Sequence, residues 1–142
     1  MIPVLKRLIR LKKQEVDIQR ITVSDLEETL NAILESIRTI ENQLLQESMI
    51  LGQDIALAQS FQSFSELMNQ KKNRLITEYE NTNLLYQTEL SRLENLFGEM
   101  KTLETILDKK TLEAAHEKAQ KEQKEWDDKT MIAQNKRAQA KN

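Results

Sequence analysis

The stretch from Ile2 to Leu51, IPVLKRLIRLKKQEVDIQRITVSDLEETLNAILESIRTIENQLLQESMIL, decides the fold. Within it Ile2, Ile9, Val16, Val23, Leu30, Ile37, Leu44 and Leu51 recur at intervals of seven. A helix turns once every 3.6 residues, so an apolar comb of period seven lines one face and requires a facing helix. With these as the a positions of a heptad, the d positions are Leu5, Lys12, Gln19, Leu26, Ile33, Ile40, Glu47 and Asp54. The seam is apolar at every a site, but it is strong at d only between Leu26 and Ile40.

Composition extends the helical reading to the whole chain. Among 142 residues, 31% are charged, and there are two glycines and one proline. So few breakers leave little material for the turns of a compact domain. Aromatics are 4%, which removes the usual filling of a globular core. The absence of cysteine excludes disulfides and thiolate zinc sites. A net charge of −2 gives no reason to expect a nucleic-acid partner. No apolar run approaches the roughly 20 residues of a membrane span. The basic N-terminus lacks the apolar core of a secretory signal.

Pro3 suits the first turn of a helix, where a missing N–H costs nothing. The first helix is expected over about 3–51. After Leu51 the comb fails at Gly52, and a reversal is expected over about 52–61. A second helix is expected over about 62–138. Its stripe of Leu75, Tyr79, Thr82, Tyr86, Leu90, Leu93, Phe97 and Met100 advances by fours and threes, widened by Leu96, Leu103 and Leu107. This pattern drifts toward a period of eleven, which predicts weaker supercoiling. Gly98 is a local weakness inside it.

Folding the chain near residue 58 sets Leu30 opposite the neighbourhood of Tyr86 and Ile9 opposite Leu107. The apolar stripe of the second helix ends at Leu107 to Leu112, where the first helix runs out. The expected fold is therefore all-α: an antiparallel two-helix coiled-coil hairpin, one elongated domain over residues 1–142. Glu113 to Asn142, rich in Ala, Lys, Glu and Gln, would form a C-terminal helical overhang of high intrinsic propensity.

A two-helix hairpin offers no converging, water-excluded pocket for catalysis. The single histidine, His116, sits on the polar overhang, and the acids Glu113 and Glu117 near it are what any charged helix supplies. Asp127 and Asp128 are adjacent and so point apart on a helix. No glycine loop is present to cradle a phosphate. Neither an enzyme nor a metal or cofactor site is expected.

Three features rise above this background. Lys6, Arg7, Arg10, Lys12 and Lys13 form a basic run with no acid before Glu15. The structural alternative is a solvated face, but the helix dipole does not favour cations at an N-terminus. An acidic protein, an anionic membrane or nucleic acid would suit it. Phe61, Phe64, Leu67 and Met68 share a face just after the expected reversal. They either close the hairpin against Leu51, Ile55 and Leu57 or anchor a partner. Trp126 stands alone on a polar helix, either covering lysine stems or anchoring an interface.

Two stretches carry a resemblance. FQSFSELMNQ, from Phe61 to Gln70, resembles the aromatic segment after the reversal in the FliJ/YscO family of type III export stalk proteins. QKEQKEWDDKTMIAQNKR, from Gln120 to Arg137, resembles that family's C-terminal pattern of a Gln-Lys pair, an apolar residue, two acids and a basic tail. Trp126 stands where that pattern has a smaller apolar residue. The size, the hairpin and the scarcity of Gly and Pro extend the likeness over nearly the whole chain.

The resemblance implies a non-enzymatic central stalk. It would insert into a hexameric export ATPase ring at the cytoplasmic, inner-membrane base of a flagellar or virulence-type secretion machine. It assigns Lys6, Arg7, Arg10, Trp126, Asp127, Asp128, Lys136 and Arg137 to the ring. It assigns Phe61, Phe64, Leu67 and Met68 to the membrane export-gate protein. Export chaperones are further implied partners. The rival readings are a structural or adaptor homodimer and a helical-hairpin export chaperone. A parallel dimer favours β-branched a with Leu at d, which Lys12, Gln19, Glu47 and Asp54 do not satisfy.

Overall fold

The computed structural model describes residues 1–50 and 55–141. Leu51, Gly52 and Asp54, which end the comb and open the expected reversal, lie outside the described residues, as does Asn142. The described chain forms two helices, α1 (Ile2–Ile50) and α2 (Ile55–Ala140), and no strand. The helices pack against each other antiparallel, so the expected all-α hairpin is what the chain forms.

α1 opens with the Leu5 N–H donating to the Met1 carbonyl at 3.0 Å, and Pro3 sits in this first turn. α2 begins at Ile55, not near Gln62. Ile55 to Phe61 breaks the heptad, and loss of the heptad is what places the expected reversal there. It contains Ala and Leu and no breaker, so its propensity is helical whatever its pairing. Interhelix pairs also move the point of reversal. Lys12 meets Glu99, Gln19 meets Glu89 and Lys72 meets Glu41, so their midpoints fall between about residues 54 and 57. The expected fold-back near 58 is displaced by about two to four residues, and the level facing Leu30 moves from Tyr86 by about three to eight residues toward the start of α2.

The chain divides into two compact units. The first joins residues 14–97. Here Val16, Val23, Leu30, Ile33 and Ile40 are buried along α1, all of them comb or d positions. Each fully buried aliphatic side chain of this kind contributes about 1.5–3 kcal/mol. On α2 the covered residues include Phe61, Met68, Leu75, Thr82, Glu89 and Leu96 in one column, with Phe64, Asn83 and Leu90 half-buried at its flank. Ser65, Lys72, Tyr79, Tyr86 and Leu93 form the other. Both columns step by seven without drift, which corrects the expected eleven-residue period. The heptad is hidden in the sequence because Ser65, Lys72, Thr82 and Glu89 fill seam sites with polar side chains. Phe97, counted in the stripe, lies off the seam and is 38% exposed, with the Arg20 guanidinium 6.0 Å from its ring centroid.

The polar seam sites are partnered across the helices. Gln19 is buried, and its Nε2 donates to the Glu89 carbonyl at 2.9 Å and to the Glu89 carboxylate. Lys72 keeps its stem in the seam and reaches Glu41 of α1 at 3.0 Å.

The second unit joins residues 1–13 and 98–142. Leu5 and Met100 are buried in it, and Ile2, Ile9, Leu103 and Leu107 are half-buried. Lys12 repeats the Lys72 device from α1, reaching Glu99 at 2.8 Å. From Asp108 to Lys141 every residue is exposed. Gly98 is helical with a negative φ, and a Cβ built on it would meet nothing within 4 Å.

Candidate functional site

The terminal part of α2 is helix without a facing helix. Its local support is short-range: Lys110 lies 3.9 Å from Glu113, Gln123 donates to Asp127 at 3.2 Å, and Thr130 donates back to the Trp126 carbonyl at 2.9 Å. Such i,i+3 and i,i+4 contacts add a few tenths of a kcal/mol each. High intrinsic propensity carries the rest.

Trp126 is 68% exposed on this helix. Around it lie Lys129, Thr130, Ala133, Gln134 and Arg137, lining one shallow groove along a single face. Their offsets of three, four, seven, eight and eleven are those of a helix face. Of the residues expected to contact a ring, Trp126 and Arg137 therefore share a face. Asp127, Asp128 and Lys136 stand at offsets of one, two and ten and point elsewhere. Lys129, Thr130 and Ala133 were missed, although their spacing from Trp126 would have found them.

Lys6, Arg7 and Arg10 do not join this cluster. Lys12 is level with Glu99, and Met1 to Pro3 share a groove with Lys110, Glu113, Ala114 and Glu117. The cations accordingly lie beside α2 between those levels. Trp126 sits nine residues beyond Glu117, about 13 Å further along the helix.

The aromatic segment after the reversal is split. Phe61 and Met68 belong to one seam column and are half-buried, Phe64 flanks the seam, and Leu67 is turned to solvent at 55% exposure. Phe61 and Phe64 line a groove with Glu47, Ile50, Leu57 and Ser60. Phe61 thus helps to close the seam, and Leu67 stands exposed beside it. Leu45, Met49, Ile50, Ile55 and Leu57 add exposed apolar surface to this unit. The three from α1 are off the comb, so the seven-residue spacing does not mark them.

His116 is exposed, 3.1 Å from Gln120 through its Nε2. Among the described residues no three His, Asp or Glu side chains are grouped to hold a metal ion. Among them, too, no helix is long and apolar enough to cross a membrane. Compared with protein-family models, curated proteins and solved structures, the chain matches none.

Proposed function

We propose that this chain is a non-enzymatic central-stalk component of a type III protein export apparatus, of the FliJ/YscO kind. It works in the cytoplasm at the inner-membrane base of the machine. Its terminal α2 enters the hexameric export ATPase ring, and its turn-side apolar surface meets the membrane export gate. The observation that carries this reading is the run of α2 from Asp108 to Lys141, exposed at every residue, extending beyond the start of α1 and bearing one tryptophan. A helix that long, with no core of its own and an aromatic anchor at its middle, suits insertion into a surrounding partner.

The hairpin also speaks against the parallel homodimer. Lys12 and Gln19, the polar d residues that such a dimer would bury, are both engaged by α2 of the same chain. The test is the hydrolysis rate of the cognate hexameric ATPase with and without purified chain. Stimulation by the full chain and none by a chain ending at Leu112 is expected. Equal stimulation by the shortened chain would place the contact elsewhere.

A further inference from the structure

Residues 1–13, where α1 begins, carry a surface that the hairpin leaves exposed. At about 100° per residue the helix there divides into three sectors. Ile2, Leu5, Ile9 and Lys12 form the seam. Beside it stand Met1, just ahead of the helix, and Val4, Leu8 and Leu11, within a sector of about 60°. Their exposures are 79%, 53%, 44% and 51%. The remaining sector, about 120° wide, holds Lys6, Arg7, Arg10 and Lys13, all exposed.

None of these four cations makes an ion pair among the described residues. The acids Glu99, Glu104 and Glu113 of α2 are engaged by Lys12, Lys101 and Lys110. No acid precedes Glu15 in the chain. The helix dipole disfavours cations at this end, so helix stability does not account for them.

We infer that this face is a docking surface for an anionic lipid bilayer, on which residues 1–13 lie in the plane of the headgroups. An aliphatic sector adjoining a cationic one matches the two levels of such a surface, hydrocarbon below and phosphate above. Lysine and arginine stems are long enough to keep their charges at the phosphates while the helix settles. A protein groove is the weaker match, because this face has arginines but none of the Trp or Tyr anchors that accompany them where binding energy concentrates at protein interfaces. The first aromatic of this chain is Phe61. This surface is separate from the Trp126 face, so the inference goes beyond the stalk reading and does not depend on it.

The test is co-flotation of the full chain with vesicles of phosphatidylcholine alone or mixed with phosphatidylserine. Binding to the mixed vesicles only, weakening as salt is raised, is expected. Replacing Lys6, Arg7, Arg10 and Lys13 by Gln lowers the partition coefficient about fivefold per cation. The variant Val4→Ser/Leu8→Ser/Leu11→Ser lowers it by about tenfold or more. All seven positions are exposed, so both variants keep the wild-type helical circular dichroism. The inference is overturned by equal binding to both vesicle types. It is overturned equally by undiminished binding of the triple serine variant, which would mark plain charge adsorption. Retention on polyglutamate with none on vesicles would assign the face to an acidic protein and overturn it too.

Discussion

Gln19 of α1 and Glu89 of α2 form a polar layer inside the seam, the Gln19 amide donating to both the backbone carbonyl and the carboxylate of Glu89. Gln19 is 6% exposed, as buried as Leu30 and Ile33. Val16, one turn away, is the most deeply buried residue of α1. A polar pair in an otherwise apolar seam does little for stability but penalises every other register, since a slipped helix would leave the amide unpaired. Replacing Gln19 by Leu leaves the half-buried Glu89 carboxylate without its donor. We expect a loss of about 1–3 kcal/mol in urea unfolding. Gln19→Leu/Glu89→Leu regains that loss and relaxes the register. The chain has no cysteine, so Glu41→Cys with Ser65→Cys reports a slip of one heptad from the Glu41–Lys72 pairing. That disulfide should form in the double-leucine background and fail to form with Gln19 and Glu89 in place.

The two seam lysines make the direction of pairing testable. Lys72 on α2 reaches Glu41 on α1, and Lys12 on α1 reaches Glu99 on α2. Each pair is partly exposed, so each contributes up to about 1 kcal/mol at low salt. Lys72→Glu opposes Glu41 and lowers the thermal midpoint, and Glu41→Lys opposes Lys72 in the same way. The exchanged pair, Lys72→Glu/Glu41→Lys, should recover most of the loss. A double-mutant cycle with no coupling would contradict the pairing.

These pairs also explain what could be read from the sequence. On α1 the comb was legible because nature kept apolar residues at every a site, from Ile2 to Leu44, and burial follows it. On α2 the seam was obscured because its partners to Gln19 and Glu41 are themselves polar. Glu89 and Lys72 look like surface residues until the facing helix is known, while Phe97 looks like core and is not. The start of α2 was misplaced for a related reason: between Ile55 and Phe61 pairing lapses but helix does not. The terminal helix was legible from its lack of apolar spacing. Its working face was only half legible, because adjacency in sequence grouped Trp126 with Asp127 and Asp128, whereas the helix groups it with Lys129, Ala133 and Arg137.

Gly98 tests whether α2 is rigid where its two units meet in sequence. It lies in mid-helix with a negative φ and open space where a Cβ would stand. No close approach or turn requires a glycine there. Gly98→Ala should stabilise the chain by about 0.5–1 kcal/mol, read as a raised unfolding midpoint at unchanged denaturant slope. If the glycine serves as a bend during engagement of a partner, the same variant will be more stable yet stimulate the ATPase less.

Trp126 separates stability from function. Its indole is 68% exposed and no residue of α1 lies alongside it, so Trp126→Ala removes no packing that holds the hairpin together. The thermal midpoint should move by less than about 0.5 kcal/mol in equivalent free energy, as for surface substitutions generally. Binding to the export ATPase should nevertheless fall by about thirtyfold or more, the loss of about 2 kcal/mol that truncating an aromatic anchor causes. Ala133→Glu, on the same face, should weaken binding by introducing a charge into the contact. Asp128→Ala, pointing away, should leave it unchanged. Titrating the three variants against the ATPase by its own fluorescence or by calorimetry distinguishes a face from a stretch. If Asp128→Ala matches Trp126→Ala in its effect, the contact surrounds the helix; if only Trp126 and Ala133 respond, one side of the helix is read.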